Sequence, residues 1–121
     1  MAAIEAMDFQ IGKLLDNIPE DERKNTIIIF IGDNGTPNQV AQHPYSSSTV
    51  KNTLYQDVIN MPLFISGTSV ARTGTDTNLI VSADLFATIA EITGSSTNEI
   101  YDSKSFKTLL THAASIRDYQ Y

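Results

Sequence analysis

The stretch Thr26-Ile27-Ile28-Ile29-Phe30-Ile31 is an unbroken run of β-branched and aromatic residues, and Gly32-Asp33-Asn34-Gly35 follows it directly. A continuous apolar run that stops at a turn signal predicts a strand buried on both faces of a parallel sheet. Ligands bind at the carboxyl ends of the strands in such sheets. The sequence therefore predicts that Asp33 and Asn34 lie where chemistry takes place.

The side chains of Asp33 and Asn34 indicate a cation as the ligand. A carboxylate and an amide carbonyl are hard oxygen ligands of the kind that calcium and magnesium prefer. Calcium binds about six to eight oxygens, so the others would come from elsewhere in the chain, from a bound anion or from water. A second interpretation stays open on these residues alone, in which Asn34-Gly35 forms a tight turn and Asp33 is solvated or caps a backbone group.

Helical and extended patterns alternate on both sides of this strand. Apolar residues recur at steps of three and four over residues 4–18 and predict an amphipathic helix, which Pro19 ends. Residues 61–67 are typical of a second buried strand, with a proline near its start and a glycine at its end. A later helix is predicted to begin at the cap Ser82 and to end at Gly94.

This order of elements predicts an α/β layer fold, a mostly parallel sheet with packed helices. The chain has 121 residues, of which 41% are hydrophobic, and this is enough for one globular domain with a sizeable core. We therefore predict a single domain over residues 1–121.

The net charge of −6 and the absence of a basic cluster disfavour nucleic acid and anionic membrane as main partners. No apolar run approaches the ~20 residues of a membrane span. The chain has no cysteine, which removes disulfides, thiolate metal sites and cysteine nucleophiles together. The two histidines, His43 and His112, have no motif around them, and we predict that His43 lies in a surface loop and that His112 is structural or exposed.

The pattern around Asp33 extends over nearly the whole chain. Residues 11–16 and 25–30 lead to Asp33-Asn34-Gly35. Residues 51–62 are similar, without a gap, to Lys-Gly-x-x-Tyr-Glu-Gly-Gly-x-Arg-x-Pro, and residues 81–89 resemble a helix that begins Ser-x-x-Asp-Leu-x-Pro-Thr. Together these segments resemble the sulfatase family, within the alkaline phosphatase superfamily. The resemblance implies a sulfatase-like α/β fold and a parent protein that hydrolyses sulfate esters.

The resemblance also implies roles for particular residues. Asp33 and Asn34 would bind the active-site calcium, and Lys51 would contact the sulfate of the substrate as a catalytic residue. Asparagine rather than histidine at position 34 favours sulfatases over the phosphatase and phosphomutase relatives. A cation and an ammonium group both stabilise an anionic sulfate in a preorganised pocket.

Two features of the family are missing from this sequence. The nucleophile is a formylglycine made from the first residue of Cys/Ser-x-Pro-x-Arg, and no proline of this chain has cysteine or serine two positions before it. Other calcium ligands come from an N-terminal Asp-Asp pair, and no two aspartates here are adjacent. We therefore expect the C-terminal part of a catalytic domain, a fragment with an incomplete Ca²⁺ site and no activity alone, the formylglycine belonging to the missing N-terminal part.

The segment that carries Lys51 departs from the family pattern, and its departures include Asn52, Asp57, Val58 and Asn60. Lys51 has the alternative interpretation of a solvated lysine. The departures also keep a degenerate, non-catalytic sulfatase-like binding module among the alternatives, beside a phosphate-ester hydrolase of the same superfamily. A phosphoacceptor receiver domain, of similar size, would carry an acidic pair and open with a strand, and this sequence has neither.

A parallel sheet cut between its halves exposes strand edges and apolar surface, so we expect self-association of the isolated chain. Sulfatases are commonly exported, which suggests a periplasmic or secreted parent but leaves the compartment of this chain unknown.

Overall fold

The structure is a computed structural model that describes residues 2–43, 46, 48, 59–95 and 101–118. It divides into two compact units, Met1–Thr68 and Ser69–Tyr121. The single domain expected for residues 1–121 stays a prediction. No helix in the described ranges has both the length and the apolar character needed to cross a membrane.

The first unit begins with helix α1, Ala2–Asp16, followed by the short helix α2, Glu20–Arg23. Pro19 separates them with φ −54° and ψ 144°, an extended conformation that ends the first helix as its sequence predicts. No residue of α1 is buried, and the side chains of Ile4 and Leu14 are 65% and 68% exposed. The predicted packing of helices on a sheet is therefore not seen for α1.

Both predicted strands are present in the first unit, as β1, Ile27–Ile31, and β2, Leu63–Gly67. The two strands pair antiparallel, with Ile27 opposite Gly67 and Ile31 opposite Leu63. Within the described residues the prediction of parallel pairing is thus wrong for these strands. An alternation of half-buried and exposed residues along β2 agrees with an antiparallel ribbon that faces solvent on one side.

The strand β1 is also less buried than its apolar sequence predicts. Residues Ile27 to Phe30 are half-buried and Ile31 is exposed, because no second layer covers them among the described residues. The rings of Phe30 and Phe64 contact each other across the ribbon, with their centroids 6.0 Å apart. This cross-strand aromatic pair stabilises the register.

Gly67 allows β2 to end against the start of β1. Its φ is +113°, and a Cβ at this position would collide with the carbonyl oxygen of Thr26 and lie 3.1 Å from the Cα of Ile27. The next residue, Thr68, donates its backbone N–H to the Thr26 carbonyl at 2.9 Å. Only glycine combines this close approach with a positive φ at little cost.

The second unit contains helix α3, Asp84–Thr93, which ends as predicted at Gly94 in the left-handed conformation, with φ 71°. The prediction of Ser82 as the N-cap is wrong, because Ala83 occupies that position without a side-chain cap. The Asp84 carboxylate instead accepts the N–H of Val81 at 2.9 Å, a backbone donor two residues before the N-cap. A 3₁₀-helix follows at Lys107–Leu110.

All fully buried residues of the described ranges lie in this second unit. They form a small core that mixes apolar and polar side chains, Asp84, Ala87, Thr88, Phe106, Leu109 and Leu110. Thr88 joins the helix to the chain that crosses it, since its hydroxyl donates to the Asp84 carbonyl at 2.7 Å and accepts the N–H of Phe106 at 3.0 Å. The core is therefore held by hydrogen bonds as well as by apolar contact.

Candidate functional site

The structure places Asp33 and Asn34 immediately after β1, as the sequence predicts, and both residues are exposed. Because the strand pair is antiparallel, the chain here lies beside the start of β2. Gly32 donates its backbone N–H to the carbonyl of Pro62 at 2.9 Å, one residue beyond the last pair of the register. This bond fixes the point at which Asp33 leaves the sheet.

The oxygens of Asp33 and Asn34 fit a hard divalent cation in chemistry but not in number. A carboxylate and an amide carbonyl on successive, exposed residues can both contact one ion from solvent. No group of three histidine, cysteine, aspartate or glutamate residues that could hold a metal occurs in the part of the chain that the structure describes. These residues therefore fit calcium as part of a site that needs further ligands.

The third predicted site residue, Lys51, lies outside the described residues, as do its neighbours Asn52, Asp57 and Val58. The last departure in that segment, Asn60, is exposed just before β2. The role of Lys51 thus stays a prediction.

The two histidines are exposed, as predicted for His43 and allowed for His112. The Nδ1 atom of His112 lies 2.7 Å from the Thr111 hydroxyl, with which it shares a hydrogen bond. His43 belongs to the unit that carries Asp33 and His112 to the other unit. No hydrogen bond or ion pair in the described ranges joins His43 to Asp33 or Asn34.

One contact beside the site was missed by the sequence analysis. A Cβ built on Gly32 would lie 2.9 Å from Cδ and 3.2 Å from Cγ of Pro62, and 3.7 Å from Cβ of Met61. The ring of Pro62 therefore lies directly against the glycine that precedes Asp33. The available signal was a glycine before the aspartate and a proline at the start of the next strand.

A second feature missed from sequence is an ion pair in the core of the second unit. The side chains of Asp84 and Arg117 are 0% and 6% exposed, and the guanidinium donates to Asp84 Oδ1. The same oxygen accepts the N–H of Lys104 at 2.8 Å. Asp84 belongs to the segment that resembles a sulfatase helix, and its contacts here are structural because every one joins chain segments of this unit.

The carboxylate of Asp76 lies in a cluster of hydrogen bonds that lowers its pKa. Hydrogen bonds from the side chain and the backbone N–H of Asn78, at 2.7 and 2.8 Å, and from Arg72 at 2.7 Å lower the pKa of Asp76 to about 2. Arg72 also donates to the carbonyls of Leu109 and His112. The charged form of Asp76 thus helps to hold the loop before α3 to the chain after the 3₁₀-helix.

This cluster predicts a loss of stability in acid. Because the folded pKa of Asp76 is about 2 and its ordinary value is 3.8, the stabilisation is complete above 3.8 and disappears as the pH falls through 2. In thermal unfolding followed by circular dichroism, Asp76→Asn should lower the melting temperature at about pH 5, and the difference should shrink toward zero as the pH falls through 2 and below. Screening by solvent reduces the stabilisation that the charge of Asp76 provides, since its carboxylate is 32% exposed.

The variant Asp102→Asn, which removes an exposed carboxylate of the same unit, is the matched control for Asp76→Asn. A melting-temperature difference for Asp76→Asn that stays constant from pH 5 to pH 2 would contradict the role assigned to this carboxylate.

Comparison with known proteins gives one match. The family model described as Sulfatase matches residues 1–95, a range that contains Asp33, Asn34 and Lys51. No curated protein and no solved structure matches the chain.

Proposed function

Because the chain belongs to the sulfatase family, we propose that it is the C-terminal part of the catalytic domain of a sulfuric ester hydrolase, to which it contributes two calcium ligands. The observation that carries the proposal is the position of Asp33 and Asn34, exposed together where the chain leaves β1, inside the range that matches the family. Asp33 would bind the ion through its carboxylate and Asn34 through its side-chain carbonyl.

The bound calcium would stabilise the negative charge of the sulfate and the charge that develops as the ester bond breaks. Lys51 is proposed to contact the same sulfate from the segment between the strands. Its support is the alignment of residues 51–62 with the family pattern, in which only the lysine, Tyr55 and Pro62 agree. A sulfate ester is therefore the proposed substrate class of the parent protein.

The proposal includes an incomplete site. The sequence has no Cys/Ser-x-Pro-x-Arg motif from which a formylglycine could form and no adjacent aspartates. The exposed apolar side chains of α1 and the half-buried strand β1 agree with surfaces that another part of a catalytic domain covers. We propose that in the parent protein the two strands belong to a larger, mostly parallel sheet, and that this chain alone does not hydrolyse sulfate esters.

Calcium titration of the purified chain, followed by the amide resonances of residues 32–35, tests the two proposed ligands. We expect weak binding, with a dissociation constant of about 1 mM or higher, because most of the ligands that calcium needs are absent. Asp33→Asn should weaken this binding about tenfold or more, because it removes the only charged ligand.

The variant Asp8→Asn is the control, since it removes the same charge from an exposed position in α1. Equal binding by the Asp33→Asn and Asp8→Asn variants would refute the assignment. Tight binding that Asp33→Asn abolishes would instead show that the site is complete in this chain.

A degenerate sulfatase-like binding module is the second candidate, and the departures at Asn52, Asp57, Val58 and Asn60 favour it. A phosphate-ester hydrolase of the same superfamily has no such observation in its favour, because Asn34 occupies the position that distinguishes the two groups. The parent of a degenerate module would lack calcium affinity at Asp33. The titration therefore separates the leading proposal from this alternative.

We also propose that the isolated chain self-associates through its exposed apolar surface. The side chains of Ile4, Leu14 and Phe64 are each about two-thirds exposed, at 65%, 68% and 66%. Exposed apolar side chains in this number favour association. Sedimentation velocity over a concentration series should show oligomers, and a single monomer species throughout would argue against the proposal.

A further inference from the structure

We propose that Gly32 and Pro62 are positioning residues for the proposed cation site, and that their close contact sets where Asp33 and Asn34 leave the sheet. The inference rests on the proposed function, since it concerns the same ligands. It is carried by two observations on the described residues. The first is the hydrogen bond from the N–H of Gly32 to the carbonyl of Pro62, and the second is the packing of the proline ring on the glycine.

The hydrogen bond makes Gly32 and Pro62 the final pair of the ladder. The register runs from Ile27 opposite Gly67 to Ile31 opposite Leu63, so Gly32 comes to lie opposite Pro62. In an antiparallel ladder such a pair exchanges two hydrogen bonds, but proline has no N–H to donate back to the carbonyl of Gly32. Pairing therefore stops at this position, and Asp33 is the first residue released from the ribbon.

The ring contact explains why a glycine is required here. The backbone of Gly32 does not have a positive φ, so an alanine could adopt its conformation. The restriction is space, because a Cβ would lie 2.9 Å from Cδ and 3.2 Å from Cγ of Pro62. The ring is part of a rigid proline, so an added methyl group would displace the backbone of one strand end relative to the other.

Such a displacement would reach the metal ligands through a single peptide unit. Calcium is bound at oxygen distances of about 2.3–2.6 Å, and a shift of a few tenths of an ångström in the backbone before Asp33 is large on that scale. Groups that orient metal ligands without touching the metal commonly change affinity by about 10–100-fold when altered. Gly32 and Pro62 are therefore expected to change the affinity for the cation but not which cation is bound.

The first test is calcium affinity in the Gly32→Ala variant of the complete chain, measured by the same amide titration. We expect affinity about tenfold weaker than that of the unchanged chain. The amide resonances of Asp33 and Asn34 should shift in the absence of calcium, while those of residues 27–30 stay in place. Gly12→Ala is the matched control, because a Cβ at Gly12 meets nothing within 4 Å and the residue lies in α1.

The second test removes the proline ring. In a Pro62→Ala background the Cγ and Cδ atoms that crowd position 32 are gone, so Gly32→Ala should no longer weaken calcium binding relative to Pro62→Ala alone. Pro62→Ala is the reference because its new N–H can pair with Gly32 and change affinity by itself. An effect of Gly32→Ala that does not act through the proline ring would give the same loss in both backgrounds. If Gly32→Ala alone does not fold, the double variant with Pro62→Ala is expected to regain the fold, so the inference can still be tested.

The outcomes separate the inference from the function on which it rests. Equal loss from Gly32→Ala in both backgrounds, or no loss in either, overturns the positioning role while Asp33→Asn still weakens binding. If Asp33→Asn leaves calcium binding unchanged, the proposed ligands are wrong and the positioning role falls with them. Loss only when Pro62 is present supports the inference.

Discussion

Replacing Asp84 with asparagine is expected to destabilise the second unit by about 3–5 kcal/mol, because the variant removes the buried carboxylate to which the Arg117 guanidinium donates. The side chain of Arg117 is 6% exposed and that of Asp84 is fully buried. An asparagine keeps the shape but has a single carbonyl oxygen, so it can accept only one of the two backbone N–H groups, that of Val81 at Oδ2 or that of Lys104 at Oδ1, and it supplies no negative charge. The expected loss therefore combines the charge of the pair with one backbone hydrogen bond.

Urea unfolding followed by circular dichroism measures this loss as a change in the free energy of unfolding. Asp118→Asn is the matched control, because it removes an exposed carboxylate one position after Arg117, and it should change stability by less than about 0.5 kcal/mol. A similarly small change for Asp84→Asn would mean that Arg117 is stabilised without Asp84, and the description of this core would then be wrong.

Replacing Gly67 with alanine is expected to destabilise the strand pair of the first unit by about 3 kcal/mol. The variant would hold a non-glycine residue at a φ of +113°, and its Cβ would collide with the carbonyl oxygen of Thr26. Both strands would have to move apart at the pair Ile27 and Gly67, where the ladder begins. Urea unfolding and faster amide exchange in β1 would record the loss.

The variant Gly74→Ala separates the two causes. Gly74 has a φ of +103°, close to that of Gly67, but a Cβ there meets nothing within 4 Å. Its cost should therefore reflect the backbone conformation alone, about 1–2 kcal/mol. Equal costs at the two positions would show that the contact with Thr26 contributes nothing to the pairing of the strands.

The elements of this fold could be predicted from the sequence where the signal is local. The steps of three and four in α1, the apolar run of β1 and the glycine at position 94 each act over a few residues, and the structure confirms them. Strand direction depends on which strands meet, so the antiparallel pairing of β1 with β2 was not predictable from either strand. A continuous apolar run indicates burial, but it does not identify the layer that provides it.

Some features of the candidate site and its surroundings were likewise predictable from the sequence, and others were not. The position of Asp33 and Asn34 just after a strand was predictable because they follow a strong strand signal, whereas their role as ligands stays a prediction. The pairing of Asp84 with Arg117 was not, because the two residues lie 33 positions apart and nothing near Arg117 marks it as a partner. Gly32 and Pro62 are also distant in sequence, and only the register of the strands brings them together.

A paramagnetic ion tests most directly whether Asp33 and Asn34 bind a cation at the end of β1. Gadolinium, a trivalent oxygen-binding ion, broadens the amide resonances of residues close to it even when it binds weakly. In the isotope-labelled chain, we expect gadolinium to broaden the amide resonances of residues 32–35 selectively. Calcium should reverse this broadening by competition, and Asp33→Asn should remove it. Broadening centred on other residues, or broadening that Asp33→Asn leaves unchanged, would mean that Asp33 and Asn34 are not the ligands.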